Sequence, residues 1–276
     1  MYKKEDMIMK KLLCSLFAVA LLTGCGTSSN DEKTIRIGAS VTPHAEIIES
    51  VVPSLEAQGY KVEITQFTDY NTPNKALLEG SLDANYFQHA PYLEEWLKDA
   101  GKEGELVNVF SVHFEPLGIY SSKHQDLIVS NGAKIAIPND ATNGGRALKL
   151  LEAQGIIDLK DGVGIDATIS DIENNPKSVE IVPMQAENCA RNLQDVDYAV
   201  VNGNNALNAN ISDKLLINEA SESEAAKTYA NIIAVQKGHE NDEKIQALIQ
   251  ALNSEEVKTF IEKNYGDIVV PLVPSA

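Results

Sequence analysis

Cysteine is scarce in this chain, with three in 276 residues (Cys14, Cys25 and Cys189), so a small disulfide-stapled scaffold is excluded and the fold must rest on a buried core. Positive charge is short as well: 23 lysines and arginines stand against 40 acids, a net of −17. A surface of that sign repels polyanions and argues against DNA or RNA as a partner; keeping an exported protein soluble is the plainer use of it. No apolar run reaches the roughly 20 residues that a membrane-spanning helix needs. Short catalytic signatures are missing too, since there is no G-x-S-x-G, H-E-x-x-H, C-x-x-C or G-x-G-x-x-G pattern and no P-loop. The five histidines, His44, His89, His113, His124 and His239, are scattered without a metal-ligand pair on any predicted helix. No metal, no cofactor and no enzymatic activity are therefore expected.

What is present begins with a targeting segment. Lys10 and Lys11 precede an apolar run from Leu12 to Leu22, the length of a secretory signal core, and Met9 makes a more conventional start for it than Met1. The run ends in Leu22-Thr23-Gly24-Cys25, which looks like a bacterial lipobox, with Cys25 as the lipidated residue. Residues 1–24 are then a signal peptide, and 25–33 a polar tether between lipid and fold. The signal carries four lysines and two acids, so its removal takes the net charge from −17 to −19. Cys14 leaves with it, and Cys189 alone remains in the body, where it reads as a small buried hydrophobe. The expected location is the extracytoplasmic face of the cell membrane, held by lipid.

From residue 34 onward, short β-branched runs alternate with helical patterns, the mark of an α/β fold with largely parallel sheets. Strands are predicted at 34–40, 61–67, 82–87, 105–113 and 117–121, with helices at 43–58, 73–79 and 90–100. A second series follows: strand 133–138, helix 143–154, strand 179–184, a helix near 187–194 and strand 196–201. Strand 229–236 leads into one long terminal helix at 241–264, while 155–178 reads as an acidic surface excursion. Two α/β series joined by crossings near 115–120 and 225–232 imply two lobes with a cleft between them. The division expected is 34–117 and 231–276 for one lobe and 118–230 for the other.

Open α/β sheets bind ligands beyond the carboxyl ends of their strands, and those ends hold the candidate residues. Asp69-Tyr70-Asn71 follows one strand and YFQHAPYL, residues 86–93, ends another; of Tyr86 and Phe87, only one can face the cleft. His89, two residues before Pro91, is either a lining residue or a helix cap. In PNDATNGGRALKLL, residues 138–151, Thr142 or Asn143 can cap the helix, and its free N–H groups with Gly144 and Gly145 can receive an anion. Arg146 adds a planar two-pronged donor suited to a carboxylate. Asn202 and Asn231 sit beside apolar strands, where they hold either a ligand ammonium or a structural turn.

The chain resembles the methionine-binding lipoproteins of the NlpA and MetQ type. The resemblance is carried by FTDYNTPNKAL (67–77), GSLDANYFQHAPYL (80–93), PNDATNGGRAL (138–148), LKDGVG (159–164), ENNPKSVEIV (173–182), AVVNGN (199–204) and YANIIAV (229–235). It implies a type II periplasmic-binding fold that closes over methionine and docks on an ABC importer's permease and ATPase complex. By motif position, Arg146 would bind the ligand carboxylate, and Asn202 and Asn231 its polar end. Tyr70, Phe87 and His89 would line the pocket, and Asn143 completes the expected ligand-binding set. Two stretches depart from the family pattern: Asn205 stands where an aromatic is usual, and AENCARNL (186–193) replaces a more usual L-P-R-S-L pattern. Another amino acid or a methionine-containing dipeptide is the alternative ligand, and a surface enzyme or adhesin the remoter alternative.

The lipobox generates a direct test: Cys25→Ala should abolish labelling by a fatty acid fed to cells, since each buried methylene of an acyl chain contributes about 0.8 kcal/mol of anchoring. Equal labelling of the variant and the parent chain overturns the assignment.

Overall fold

In a computed structural model that describes residues 32–219 and 227–274, two mixed sheets stand side by side, and the chain passes between them twice. The signal, the lipobox with Cys25 and most of the tether lie outside the described residues. The first series contains β1 (Thr34–Ser40), α1 (Glu46–Ala57), β2 (Lys61–Phe67), α2 (Thr72–Leu78), β3 (Ala84–His89), α3 (Ala90–Ala100) and β4 (Leu106–Phe114). After β5 (Gly118–Tyr120) come β6 (Lys134–Pro138), α4 (Ala141–Ala153) and the short pair β7 (Asp158–Leu159) and β8 (Ile172–Asn174). Next are β9 (Glu180–Met184), α5 (Ala186–Arg191), β10 (Tyr198–Val201), α6 (Gly203–Asn208) and β11 (Leu215–Asn218). The chain ends with β12 (Ala230–Gln236), α7 (Glu243–Leu252), α8 (Glu255–Tyr265) and β13 (Val270–Pro271).

The six-stranded sheet runs β13-β4-β12-β3-β1-β2 and the five-stranded one β11-β5-β10-β6-β9. Each keeps a parallel part, β2-β1-β3 in one and β10-β6-β9 in the other. The expectation of largely parallel sheets needs correction, because β12 runs antiparallel to both β3 and β4, and β5 antiparallel to β10 and β11. The cause is topological: β5 and β12 follow the two crossings, so each enters its sheet from the opposite end.

Local sequence accounts for most elements. In β1, Ile35, Ile37 and Ala39 are fully buried while Thr34 and Arg36 are only half-buried. Burying an isoleucine contributes about 1.5–3 kcal/mol against leaving it in water. α1 turns Ile47, Ile48, Val51 and Leu55 onto that core, with Val52 at its margin; Gly59, at φ +84°, adopts the left-handed conformation just beyond its end. A second core gathers Ile119, Ile135, Ile137, Leu148, Leu151 and Val200 around the other sheet.

The terminal helix predicted at 241–264 is two helices. Leu252 ends α7, and Ser254 turns out to extended backbone (φ −138°, ψ 154°), where its hydroxyl accepts from the N–H of Val257 and starts α8. Apolar spacing survives the break because Ile245, Leu248 and Leu252 pack on the same core as Val257 and Ile261. The sequence also concealed α6, β11 and β13, each too short to carry a period.

Replacing an N-cap serine by alanine costs typically about 1 kcal/mol. Ser254→Ala should therefore lower the free energy of unfolding by about 1 kcal/mol, read as a lower urea midpoint, without altering ligand affinity; an unchanged midpoint would show that the cap carries no stability.

Candidate functional site

Where the two sheets meet, one cavity is lined by Tyr70, Phe87, Gln88, His89, Tyr92, Glu115, Asn143, Arg146, Asn202, Asn204 and Asn231. All seven residues expected to bind ligand lie on it, drawn from both series. Tyr70 sits in the loop after β2, Phe87 and His89 at the end of β3, Asn143 and Arg146 on α4, and Asn202 and Asn231 at the end of β10 and start of β12. Tyr86, the neighbour of Phe87, points the other way into the core, where its hydroxyl bonds His113 Nδ1. Phe87 instead gathers with Tyr70 and Tyr92, ring centroids 5.8–6.2 Å apart, into an apolar aromatic wall.

His89 both caps and lines. Its Nδ1 accepts from the N–H of Tyr92 in the first turn of α3, so the proton is on Nε2, which donates to Asn143 Oδ1 at 3.1 Å. Burial is the main cause that depresses its pKa to about 3, with Arg146 adding to it, and the ring stays neutral. Asn143 Oδ1 also accepts from Asn202 Nδ2 at 2.8 Å, while Asn143 Nδ2 donates to Asp140 Oδ1 at 2.9 Å. Every amide orientation in this relay is thereby fixed. Its last atom is Asn202 Oδ1, which is buried and has no hydrogen-bond partner among the described residues.

Arg146 is 3% exposed, with its guanidinium carbon 4.3 Å from the ring centre of Tyr229. Nε and Nη2 donate to the carboxylate of Glu219, at 2.9 and 2.5 Å, and Nη2 also donates to the carbonyl of Glu115. Two expectations about its helix are corrected. Neither Thr142 nor Asn143 caps α4; Asp140 does, its carboxylate accepting from the N–H of Asn143 at 2.8 Å, so the helix start already has its anion. Nor do the glycines admit a ligand: a Cβ on Gly145 would lie 2.2 Å from the carbonyl oxygen of Ile165, and one on Gly144 2.9 Å from that of Pro138. They let α4 approach its own chain.

Tyr70 joins the two series directly, its hydroxyl donating to Asn204 Oδ1 at 2.6 Å and accepting from Asn205 Nδ2 at 2.9 Å. Asn205, placed where the family pattern has an aromatic, thus spends its amide on the Tyr70 hydroxyl. Asn205 also lines a second cavity with Thr68, Glu187, Arg191, Asn208 and Ala209, which places part of the divergent 186–193 stretch beside it. Cys189 is fully buried, and burial pushes its thiol up to about 12, leaving it unreactive.

Sequence reading passed over Glu115, Gln88, Tyr92 and Asn204. Gln88 and Tyr92 fall within the quoted 86–93 stretch, and Gln88 is held by Asn74 and Asn85 in a buried amide cluster. Glu115 lay in the predicted crossing, where a lone acid between apolar segments was the available signal. His44, His113 and Glu115, scattered in sequence, offer three possible ligand atoms within 4.8 Å of one another. Nε2 of each imidazole is already engaged, His44 with Asn231 Oδ1 at 3.0 Å and His113 with Glu115 Oε1 at 2.9 Å. Hydrogen bonds thus tie these side chains to the cavity wall through Asn231 and Glu115, with His44 Nδ1 left without a partner among the described residues.

Comparison with known proteins follows the same line. The family model described as NlpA lipoprotein matches residues 35–273. The methionine-binding lipoprotein MetQ of Bacillus subtilis is 39% identical over 276 residues, covering 96% of this chain and 99% of that protein. A solved lipoprotein structure from Ruminococcus gnavus superposes with a TM-score of 0.84 at 51% identity, over 87% of this chain and 99% of that one. A nutrient-binding protein from Burkholderia cenocepacia, solved bound to methionine, superposes with a TM-score of 0.80 at 39% identity, over 86% of this chain and 99% of that one.

The tight approach of α4 to Ile165 yields a prediction. Gly145→Ala should destabilise the protein by roughly 1–3 kcal/mol, the usual cost of overpacking, with a lower denaturation midpoint. Stability equal to that of the parent chain would show that the 165–167 segment yields freely.

Proposed function

The chain belongs to the NlpA lipoprotein family, and from that premise we propose that it is a lipid-anchored, extracytoplasmic receptor that closes on methionine and delivers it to an ABC importer. The solute-binding role and the two-lobed periplasmic-binding-like fold go with the family. The observation that carries the ligand class is the unpartnered Oδ1 of Asn202, a buried acceptor at the end of a relay that cannot turn it away. Leaving such a group unpaired costs about 1–3 kcal/mol, and a ligand ammonium removes that cost. Among the described residues Arg146 uses Nε and Nη2 on Glu219 and the Glu115 carbonyl, which leaves Nη1 to bind a carboxylate. Tyr70, Phe87 and Tyr92 supply aromatic surface for a thioether, whose sulfur favours ring edges.

Delivery to an importer rests on the family and on the leader sequence. Among the described residues no helix is long and apolar enough to cross a membrane. A receptor of this kind would reach the membrane through Cys25 and the permease through its closed surface.

The second cavity, next to Asn205, supports one further reading: a different amino acid or a methionine-containing dipeptide, reaching past Tyr70. Native mass spectrometry of gently purified protein, with methionine, leucine and a methionyl dipeptide as competitors, separates these.

Asn202→Ala is the better functional variant than Arg146→Ala, because removing Arg146 would leave the largely enclosed Glu219 carboxylate without its cationic partner and destabilise the fold. Ligand-stripped parent chain should gain melting temperature with methionine. Asn202→Ala should bind about 10- to 150-fold more weakly, as expected for loss of a hydrogen bond to a charged group worth about 1.5–3 kcal/mol. A full methionine shift in Asn202→Ala, or none in the parent chain, refutes the proposal.

A further inference from the structure

Charge around the cavity is unevenly matched. Arg146 is met by Glu219, with Nη2 and Oε2 2.5 Å apart. Glu115, which also lines the cavity and is 5% exposed, has no lysine or arginine on its carboxylate among the described residues. Oε2 accepts from the N–H of Asn204 at 2.7 Å, Oε1 accepts from His113 Nε2 at 2.9 Å, and Arg146 reaches only its backbone carbonyl. His44 Nε2 lies 3.6 Å from Oε1.

Among the described residues the one fixed cation near Glu115 is Arg146, whose guanidinium bonds the Glu115 backbone carbonyl and the Glu219 carboxylate rather than the Glu115 carboxylate. His44 lies in the 41–45 turn and is lowered to about 4 by burial, while His113 of β4 is lowered to about 3 by the same cause. Tyr70, Tyr86 of β3 and Tyr120 of β5 are all raised, first by burial and then by Glu115, and stay protonated. Burial pushes Glu115 itself upward, with His44, the Asn204 N–H and Arg146 opposing. Asp140, the other acid nearby, is spent on the α4 cap and does not line the cavity. A buried carboxylate held by neutral donors is costly, and a cation placed beside it recovers part of that cost.

Resting on the reading of this cleft as an amino-acid site, we propose that Glu115 is the counter-charge for the ligand's α-ammonium and selects ligands with a free cationic amine over those without one. Asn202 Oδ1 and the Glu115 carboxylate then form the acceptors for the ammonium, and Arg146 the donor for the carboxylate. His113 and Asn204 act as positioning residues, since they hold the carboxylate without touching the ligand through those bonds. Capture becomes pH-gated with a defined sign. Binding favours ionised Glu115, so affinity is constant above the carboxyl's pKa in the ligand-free protein and falls as the pH drops through it, by about tenfold per unit.

Calorimetric titration of the ligand-stripped full chain tests this, with methionine and its desamino analogue 4-(methylsulfanyl)butanoate as probes, from neutral to mildly acidic pH. The parent chain should prefer methionine by about 30-fold or more, the scale set by truncating one member of a buried charged pair. Its methionine affinity should fall on acidification. Glu115→Gln should lose about 30-fold or more in methionine affinity, treat the two probes within about tenfold, and show a flat pH profile. A Gln variant with parental affinity, or one that keeps the acid fall, overturns the assignment and passes the pH effect to His44 or His113. Should Glu115→Gln fail to fold, the parent chain alone decides, because equal affinity for methionine and the desamino analogue overturns the role of Glu115. A parent chain that binds neither probe instead overturns the amino-acid reading, and the Glu115 assignment with it.

Discussion

The hydrogen bonds that converge on Asn143 are the constraint from which the rest of the cleft follows. Its side-chain oxygen accepts from His89 of one series and from Asn202 of the other, and its amide nitrogen donates to Asp140. Turning this one amide over would set donor against donor at two buried contacts, at a cost of about 1–3 kcal/mol for each group left unpaired. Ring tautomer, amide orientation and helix cap are thus settled together. The His89–Asn143 bond also spans the two series, so the geometry of the polar lining depends on the lobes standing in this relation to one another.

Arg146 illustrates how a buried charge is kept in place for use. A largely enclosed ion pair such as Arg146–Glu219 is weak evidence for stability, because desolvation offsets much of the Coulomb attraction. What the pair provides is direction: the guanidinium plane is fixed by Glu219 and the Glu115 carbonyl on one edge and lies over the face of Tyr229. A ligand carboxylate then meets a donor that has little rotational freedom left to lose.

The strands legible in the sequence were those with enough β-branched residues to alternate or to run continuously, such as β1, β2, β6 and β12, and their ends matched closely. Gly59 and Gly101, both left-handed, stand just beyond the ends of α1 and α3, and Pro91 lies in the first turn of α3. Patterning failed where the decisive fact was distant. Ser254 breaks the terminal helix without disturbing its apolar spacing, so periodicity alone could not reveal the turn. Asp140 displaced Thr142 and Asn143 as the cap because its carboxylate reaches the N–H of Asn143, a choice that spacing leaves open. Most of the cleft lining was marked by its strand-end positions and by family resemblance. Glu219 as the partner of Arg146, and Glu115 with His44 and His113, depended on contacts between residues far apart in the chain, which no local signal records.

Strand β12 has a consequence for how the chain is made. It lies between β3 and β4 in the first sheet, although the whole of the second sheet is synthesised before it. Until it arrives, β3 and β4 have no common neighbour, and their facing edges offer unpaired backbone groups to any extended chain. A polypeptide threaded outward from its amino end would therefore expose an unfinished first lobe for most of its passage, and would gain that lobe's central strand only near the close of export. Such late, long-range pairing slows folding. It also means that a chain truncated before residue 230 would lack both the middle of the first sheet and Asn231, so incomplete products could neither fold that lobe fully nor present an intact cleft.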